Sequence, residues 1–154
     1  MKFVPLLLLF LIINFGGLAI GNWFMGNGAT SAWYTNLNKA PWTPPGWVFG
    51  VAWTLIMLCF SVYLAHLFKN YSSPNLIVIF AFQVLLNVSW NYLFFNQQLV
   101  LPALIVLVLL TVVILFFFFT YTMGSLSTWR YLLIPYIIWL CIATSLNFYV
   151  LLNN

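Results

Sequence analysis

No aspartate or glutamate occurs anywhere in the 154 residues of this chain. That absence removes whole classes of chemistry. Paired-carboxylate acid–base catalysis, carboxylate-built calcium or magnesium sites and the Asp/Glu relays of proton-coupled pumps all need side chains that are not there. Charged residues make up only 3% of the chain and hydrophobic ones 66%. A soluble domain is roughly a quarter charged, so this chain has too few polar groups to cover a water-facing surface. Its four cations, Lys2, Lys39, Lys69 and Arg130, are scattered, whereas phosphate binding needs clustered Lys and Arg. Nucleic acid is not an expected partner.

Other reactive residues are just as sparse. His66 is the sole histidine and, without Cys, Asp or Glu beside it, makes a poor metal site; no metal is expected. Cys59 and Cys141 lie singly inside apolar runs and read as inert small hydrophobes, not as a redox pair. Ser61, Ser89 and Ser145 have no acid–base partner in view, so a hydrolase triad is unsupported. Conventional catalysis is not expected.

What fills the chain is apolar. Clusters of Pro, Asn, Ser and Gly divide it into five runs, at about 3–25, 46–68, 75–95, 99–123 and 128–152. Each is long enough to cross about 30 Å of hydrocarbon at about 1.5 Å per residue. Period-2 alternation is missing, which argues against a β-barrel. The pattern predicts a single transmembrane domain over 1–154, an all-α membrane protein built as a five-transmembrane-helix bundle. Met1-Lys2, the apolar start and Ala19-Ile20-Gly21 also suit a cleavable leader, but the first run continues to Trp23-Phe24 and is read as a retained helix. Lipid is the expected surroundings. Placing the N-terminus inside puts Lys2, Lys69 and Arg130 on the cytoplasmic side and Lys39 outside. That predicts an outward C-terminus in a bacterial cytoplasmic membrane.

An odd number of spans has a consequence independent of orientation. The long loop 26–45, the start of the second span and the ends of the third and fifth share one side. Trp53 then lies about 10 Å deep, Trp90 about 8 Å, and Asn147 and Ala143 about 8 and 14 Å. Trp139 sits near the midplane. Gln83, Asn87 and Asn91 recur every four residues on the third span, with Trp90 and Phe94 beside them. Amides in hydrocarbon are costly unless paired, so this stripe either bonds neighbouring helices or contacts a ligand. Trp23, Trp33, Trp42, Trp47 and Trp53 crowd the first loop and its flanks, as an interfacial belt or as a lid stiffened by Pro44-Pro45. Gly17 and Gly21 have the GxxxG spacing that lets helices approach closely, within the bundle or between protomers of a homodimer.

These residues fall into three blocks: Trp33-Tyr34, Lys39, Pro41-Trp42-Thr43-Pro44-Pro45, Trp47-Val48-Phe49-Gly50 and Trp53; then Asn87-Val88-Ser89-Trp90 with Phe94-Phe95; then Pro135-Tyr136, Trp139 and Ala143-Thr144-Ser145-Leu146-Asn147. In order and spacing the chain resembles the TspO/MBR family of translocator and tryptophan-rich sensory proteins. The resemblance implies a five-helix bundle, often dimeric, that binds porphyrins such as protoporphyrin IX, haem-type tetrapyrroles and other flat hydrophobic molecules beneath the first loop. Porphyrin is then a ligand, and no cofactor is required. By position, Trp53, Gln83, Asn87, Trp90, Phe94, Trp139, Ala143 and Leu146 line the pocket, with Gly50 beside them and Trp33, Trp42 and Trp47 in the lid. A light-driven porphyrin breakdown using nearby Trp is a lesser implication. Two positions depart from the family: Phe148 stands where its sterol motif has Tyr, with no cation in the tail, and Val106 stands at a usually acidic position. A secondary transporter or efflux protein, and an assembly partner with no ligand of its own, are the competing readings.

Overall fold

The computed structural model describes residues 2–71 and 73–154; Met1 of the leader-like start and Ser72 of the turn after the second run lie outside the described residues. Five helices are long and apolar enough to cross a membrane: Phe3–Met25, Gly46–Asn70, Pro74–Asn96, Val100–Thr120 and Leu126–Asn153. They comprise α1 (Phe3–Met25), α3 (Gly46–Asn70), α4 (Pro74–Asn91), α5 (Val100–Thr120) and α7 (Ile134–Asn153). Two short helices complete the set: α2 (Ala32–Asn36) in the first long loop and α6 (Leu126–Trp129) leading into α7. The described residues contain no strand.

Local chemistry sets the ends of the spans. α1 stops at Gly26, whose φ of 55° suits a residue without Cβ. α4 starts with Pro74 at its first position, where a missing N–H costs nothing. The Ser73 side chain caps it by accepting from the Leu76 N–H at 3.2 Å. The fifth span begins two residues earlier than expected and enters through a 3-10 turn, Arg130–Leu133, before Pro135 in the first turn of α7. α5 ends at Thr120, three residues early, where Tyr121 turns to pack edge-on against Tyr71 at 5.3 Å.

Each span packs most closely against two others, in the cyclic order α1, α4, α5, α7, α3 and back to α1. Phe60 lies at the centre, fully buried and in ring contact with Tyr63, Phe80, Phe117 and Tyr136. Several buried polar groups in the bundle core pair across helices, which offsets the cost of holding them in hydrocarbon. Asn14 donates to Ser61 at 2.8 Å (α1 to α3), and the Tyr63 hydroxyl donates to the Phe117 carbonyl at 3.0 Å (α3 to α5). Gly17 and Gly21 are buried against α4; a Cβ at Gly21 would come within 2.8 Å of the Asn91 amide. The GxxxG pair therefore packs inside the bundle. At the end away from the long loop, His66 stacks on Trp129 (3.9 Å, 11°) and meets Phe3 at 4.5 Å.

Candidate ligand-binding site

α1 and α3 close on each other in the half away from the long loop, where Asn14 meets Ser61 and Phe10 meets Phe68. Towards the loop they part around a chamber of about 700 Å³. That volume lies within the span of small-molecule sites, about 300–1,000 Å³. α1 contributes Leu18, Ala19, Asn22 and Met25, and α3 contributes Gly46, Phe49, Gly50, Trp53 and Thr54. Trp90 and Asn91 come from α4, and Tyr34, Lys39, Thr43 and Pro44 form the roof. A second cavity of about 40 Å³ shares Lys39, Phe49 and Trp90 with the chamber and adds Phe94, Ala143, Leu146, Asn147 and Val150.

The roof is fastened at both ends. Trp33 and Tyr34 meet Phe94 edge-on at 5.5 and 6.4 Å, and Tyr34 packs on Phe95 at 5.2 Å. Trp42 Nε1 donates to Ser145 Oγ at 3.1 Å, and the Trp42 ring meets Tyr149 edge-on at 5.4 Å. The Asn38 N–H donates to Asn154 Oδ1 at 2.8 Å. Burial pushes the Tyr34 phenol above its ordinary range, so it stays a neutral hydroxyl at the roof.

The last turn of the third span is wound as a π-helix, Tyr92–Asn96, with the Gln97 N–H reaching the Tyr92 carbonyl at 2.9 Å. Such wider turns recur at functional sites. Here it lets Trp90 and Phe94 stack at 5.6 Å while Phe95 stands edge-on to Trp90 at 5.7 Å. Gly28 lies directly against Phe95, where a Cβ would come within 2.5 Å of the Phe95 Cβ.

Of the residues expected from sequence, Gly50, Trp53 and Trp90 line the chamber, and Phe94, Ala143 and Leu146 line the smaller cavity. Trp139 is buried behind Phe49, edge-on at 5.1 Å. Trp33 and Trp42 brace the roof without lining either cavity, and Trp47 is 71% exposed. Gln83 is buried deeper, its amide donating to the Tyr136 hydroxyl at 3.0 Å, an α4-to-α7 bond. Asn87 is buried but lines neither cavity. Tyr34, Phe49, Asn91 and Asn147 also line the walls, although the sequence reading, which held Asn91 in the amide stripe and Asn147 at shared depth, did not place them in the pocket. Asn147 carried a usable signal, being an amide about 8 Å deep on the same side as Trp90.

The TspO/MBR family model matches residues 8–152. The chain belongs to the TspO/MBR family. It is 35% identical to the tryptophan-rich sensory protein of Cereibacter sphaeroides, over 75% of this chain and 73% of that protein. It is 32% identical to the tryptophan-rich protein TspO of Archaeoglobus fulgidus, over 100% of this chain and 97% of the relative. The human translocator protein is 29% identical over 90% of this chain and 83% of its own length. Family membership and five apolar helices make this an integral membrane protein. Its relatives carry the names of sensory and translocator proteins.

Proposed function

We propose that this TspO/MBR protein binds porphyrins and similar flat hydrophobic molecules in the chamber beneath its first loop, as a sensor or carrier. One observation carries the reading: a cavity of about 700 Å³ inside a lipid-facing bundle, walled by the rings of Phe49, Trp53, Trp90 and Phe95. Aromatic faces favour flat aromatic guests through offset and edge-on contacts. The few polar wall groups, Asn22, Lys39, Thr54 and Asn91, set orientation, as in most small-molecule sites. Porphyrin enters as a ligand, and no cofactor is needed.

The same reading places the N-terminus inside and the C-terminus outside a bacterial cytoplasmic membrane, with Lys2, Lys69 and Arg130 on the inner side. It includes a homodimer. Gly17 and Gly21 are taken up by α4, so the dimer seam uses other residues.

Ligand-induced thermal stabilisation, measured with protoporphyrin IX, haem and a sterol, tests the proposal. A ligand at 100 times its Kd raises stability by about 2.7 kcal/mol, enough for a clear rise in melting temperature. Protoporphyrin should give that rise and should quench tryptophan fluorescence. Substituting Trp53 and Trp90 together by Phe should remove most of the quenching. No shift with any tetrapyrrole would overturn the reading.

A further inference from the structure

We propose that the small cavity beside the chamber is a carboxylate subsite, which seats an acidic substituent of a flat guest whose ring lies in the chamber. The proposal rests on the ligand-binding reading above and specifies the guest's chemistry. Its first support is charge. Lys39 lines both cavities, is half-buried and holds its ammonium 4.5 Å above the Tyr34 ring. The chain contains no Asp or Glu to pair with it. A cation on the wall of an apolar cavity, with no side-chain carboxylate to pair with, attracts an anionic group, and its cation–π contact leaves its hydrogen-bond donors free for one.

The second support is independent of Lys39. Asn147 is 2% exposed, lines the small cavity, and has no hydrogen-bond partner for either its Nδ2 or its Oδ1 among the described residues. The Trp90 Nε1, on a ring that lines both cavities, is likewise buried and unpartnered. Buried polar atoms are nearly always paired, and an unpaired one leaves its desolvation uncompensated. The residues lining one cavity thus carry three kinds of donor: an ammonium, an amide N–H and an indole N–H. A carboxylate is acceptor-only and takes several such bonds. The volume of about 40 Å³ holds two or three water-sized groups at about 15 Å³ each. It admits a carboxylate and excludes a ring.

Binding of protoporphyrin IX and of its dimethyl ester to the full chain in maltoside micelles at pH 8 decides the matter. The free acid should bind the wild type about tenfold more tightly than the ester, the effect of one charge-assisted hydrogen bond. Lys39→Met and Asn147→Leu should each bring that ratio to within about twofold, whereas Lys69→Met, at the other end of α3, should leave it intact. An acid-to-ester ratio near one in the wild type overturns the proposal. So does an unchanged ratio in both site variants, even if both ligands weaken together. Should Asn147→Leu fail to fold, the near-isosteric Asn147→Asp replaces it and should favour the ester. If neither porphyrin binds, the porphyrin reading falls, and 1-pyrenebutyric acid against its methyl ester then tests the subsite alone. Repeating the measurement in phosphatidylglycerol nanodiscs separates the sources of the anion. A preference seen in micelles and abolished there assigns the cavity to a lipid phosphate and overturns the guest-carboxylate assignment.

Discussion

Trp42 Nε1 donates to Ser145 Oγ at 3.1 Å, joining residues 103 positions apart and tying the roof of the chamber to the C-terminal half of α7. Ser145 holds its own proton on the Ile142 carbonyl at 2.7 Å, which leaves a lone pair facing the indole. Trp42 is 54% exposed, so the bond adds little to global stability. Its effect is local, on how often the roof lifts. Trp42→Phe and Ser145→Ala should each cost less than about 1 kcal/mol in unfolding while speeding porphyrin release several-fold. Stopped-flow release rates of the two single variants and the double variant provide the check. The double variant should release no faster than the faster single one, because both remove the same bond.

A second prediction concerns the contact between the loop and the π-wound turn. A Cβ at Gly28 would lie 2.5 Å from the Phe95 Cβ and 3.0 Å from its carbonyl oxygen. Backbone, not a flexible side-chain end, stands in the way. Gly28→Ala must therefore push the loop off the π-wound turn, at about 1–3 kcal/mol, the usual cost of overpacking. Lower thermal stability together with weaker ligand binding is expected. Gly46→Ala is the contrast, since nothing lies within 4 Å of its added Cβ. Equal melting temperatures for the two variants would show that the loop does not rest on Phe95.

Much of the fold is legible in composition. Five apolar runs in a chain without carboxylates have few soluble alternatives, and helix rise alone puts Trp53, Trp90 and Ala143 at shared depth. What rise cannot supply is rotation about each helix axis. Gln83, Asn87 and Asn91 look like one stripe, but four residues overshoot a turn by about 40°, so Gln83 and Asn91 differ by about 80°. Gln83 accordingly meets Tyr136, while Asn91 faces Gly21 and the chamber. The π-wound turn at Tyr92–Asn96 has no sequence signature, and it decides how Phe94 and Phe95 are presented. Loop tryptophans are readable as lid components. Whether they line a cavity or brace its roof depends on loop path, and Trp33 and Trp42 brace it.

The Gln83–Tyr136 bond gives a third prediction, which separates structure from binding. Both residues are almost wholly buried and neither lines a cavity. Tyr136→Phe strands the Gln83 amide in hydrocarbon and should cost about 1–2 kcal/mol. Adding Gln83→Leu removes the stranded group and should recover part of that loss. Porphyrin affinity should stay within about twofold throughout. Thermal melts and titrations on the same three proteins test both halves; a tenfold affinity loss in Tyr136→Phe would put the pair in the binding site.

Gly50 supplies the last prediction, in which stability and affinity move in opposite directions. It sits in the first turns of α3, lines the chamber, and has nothing within 4 Å of an added Cβ. Glycine there costs the helix about 0.8–1 kcal/mol relative to alanine. Gly50→Ala should therefore raise the melting temperature slightly and leave porphyrin binding nearly intact. Gly50→Trp retains part of the helix gain but projects an indole into space that a porphyrin ring must occupy. Its protoporphyrin affinity should fall at least about tenfold with no loss of thermal stability. A damaged fold would lower both quantities together, so the opposed signs identify occlusion. If Gly50→Trp binds protoporphyrin as the wild type does, the ring sits elsewhere and the chamber is not its site.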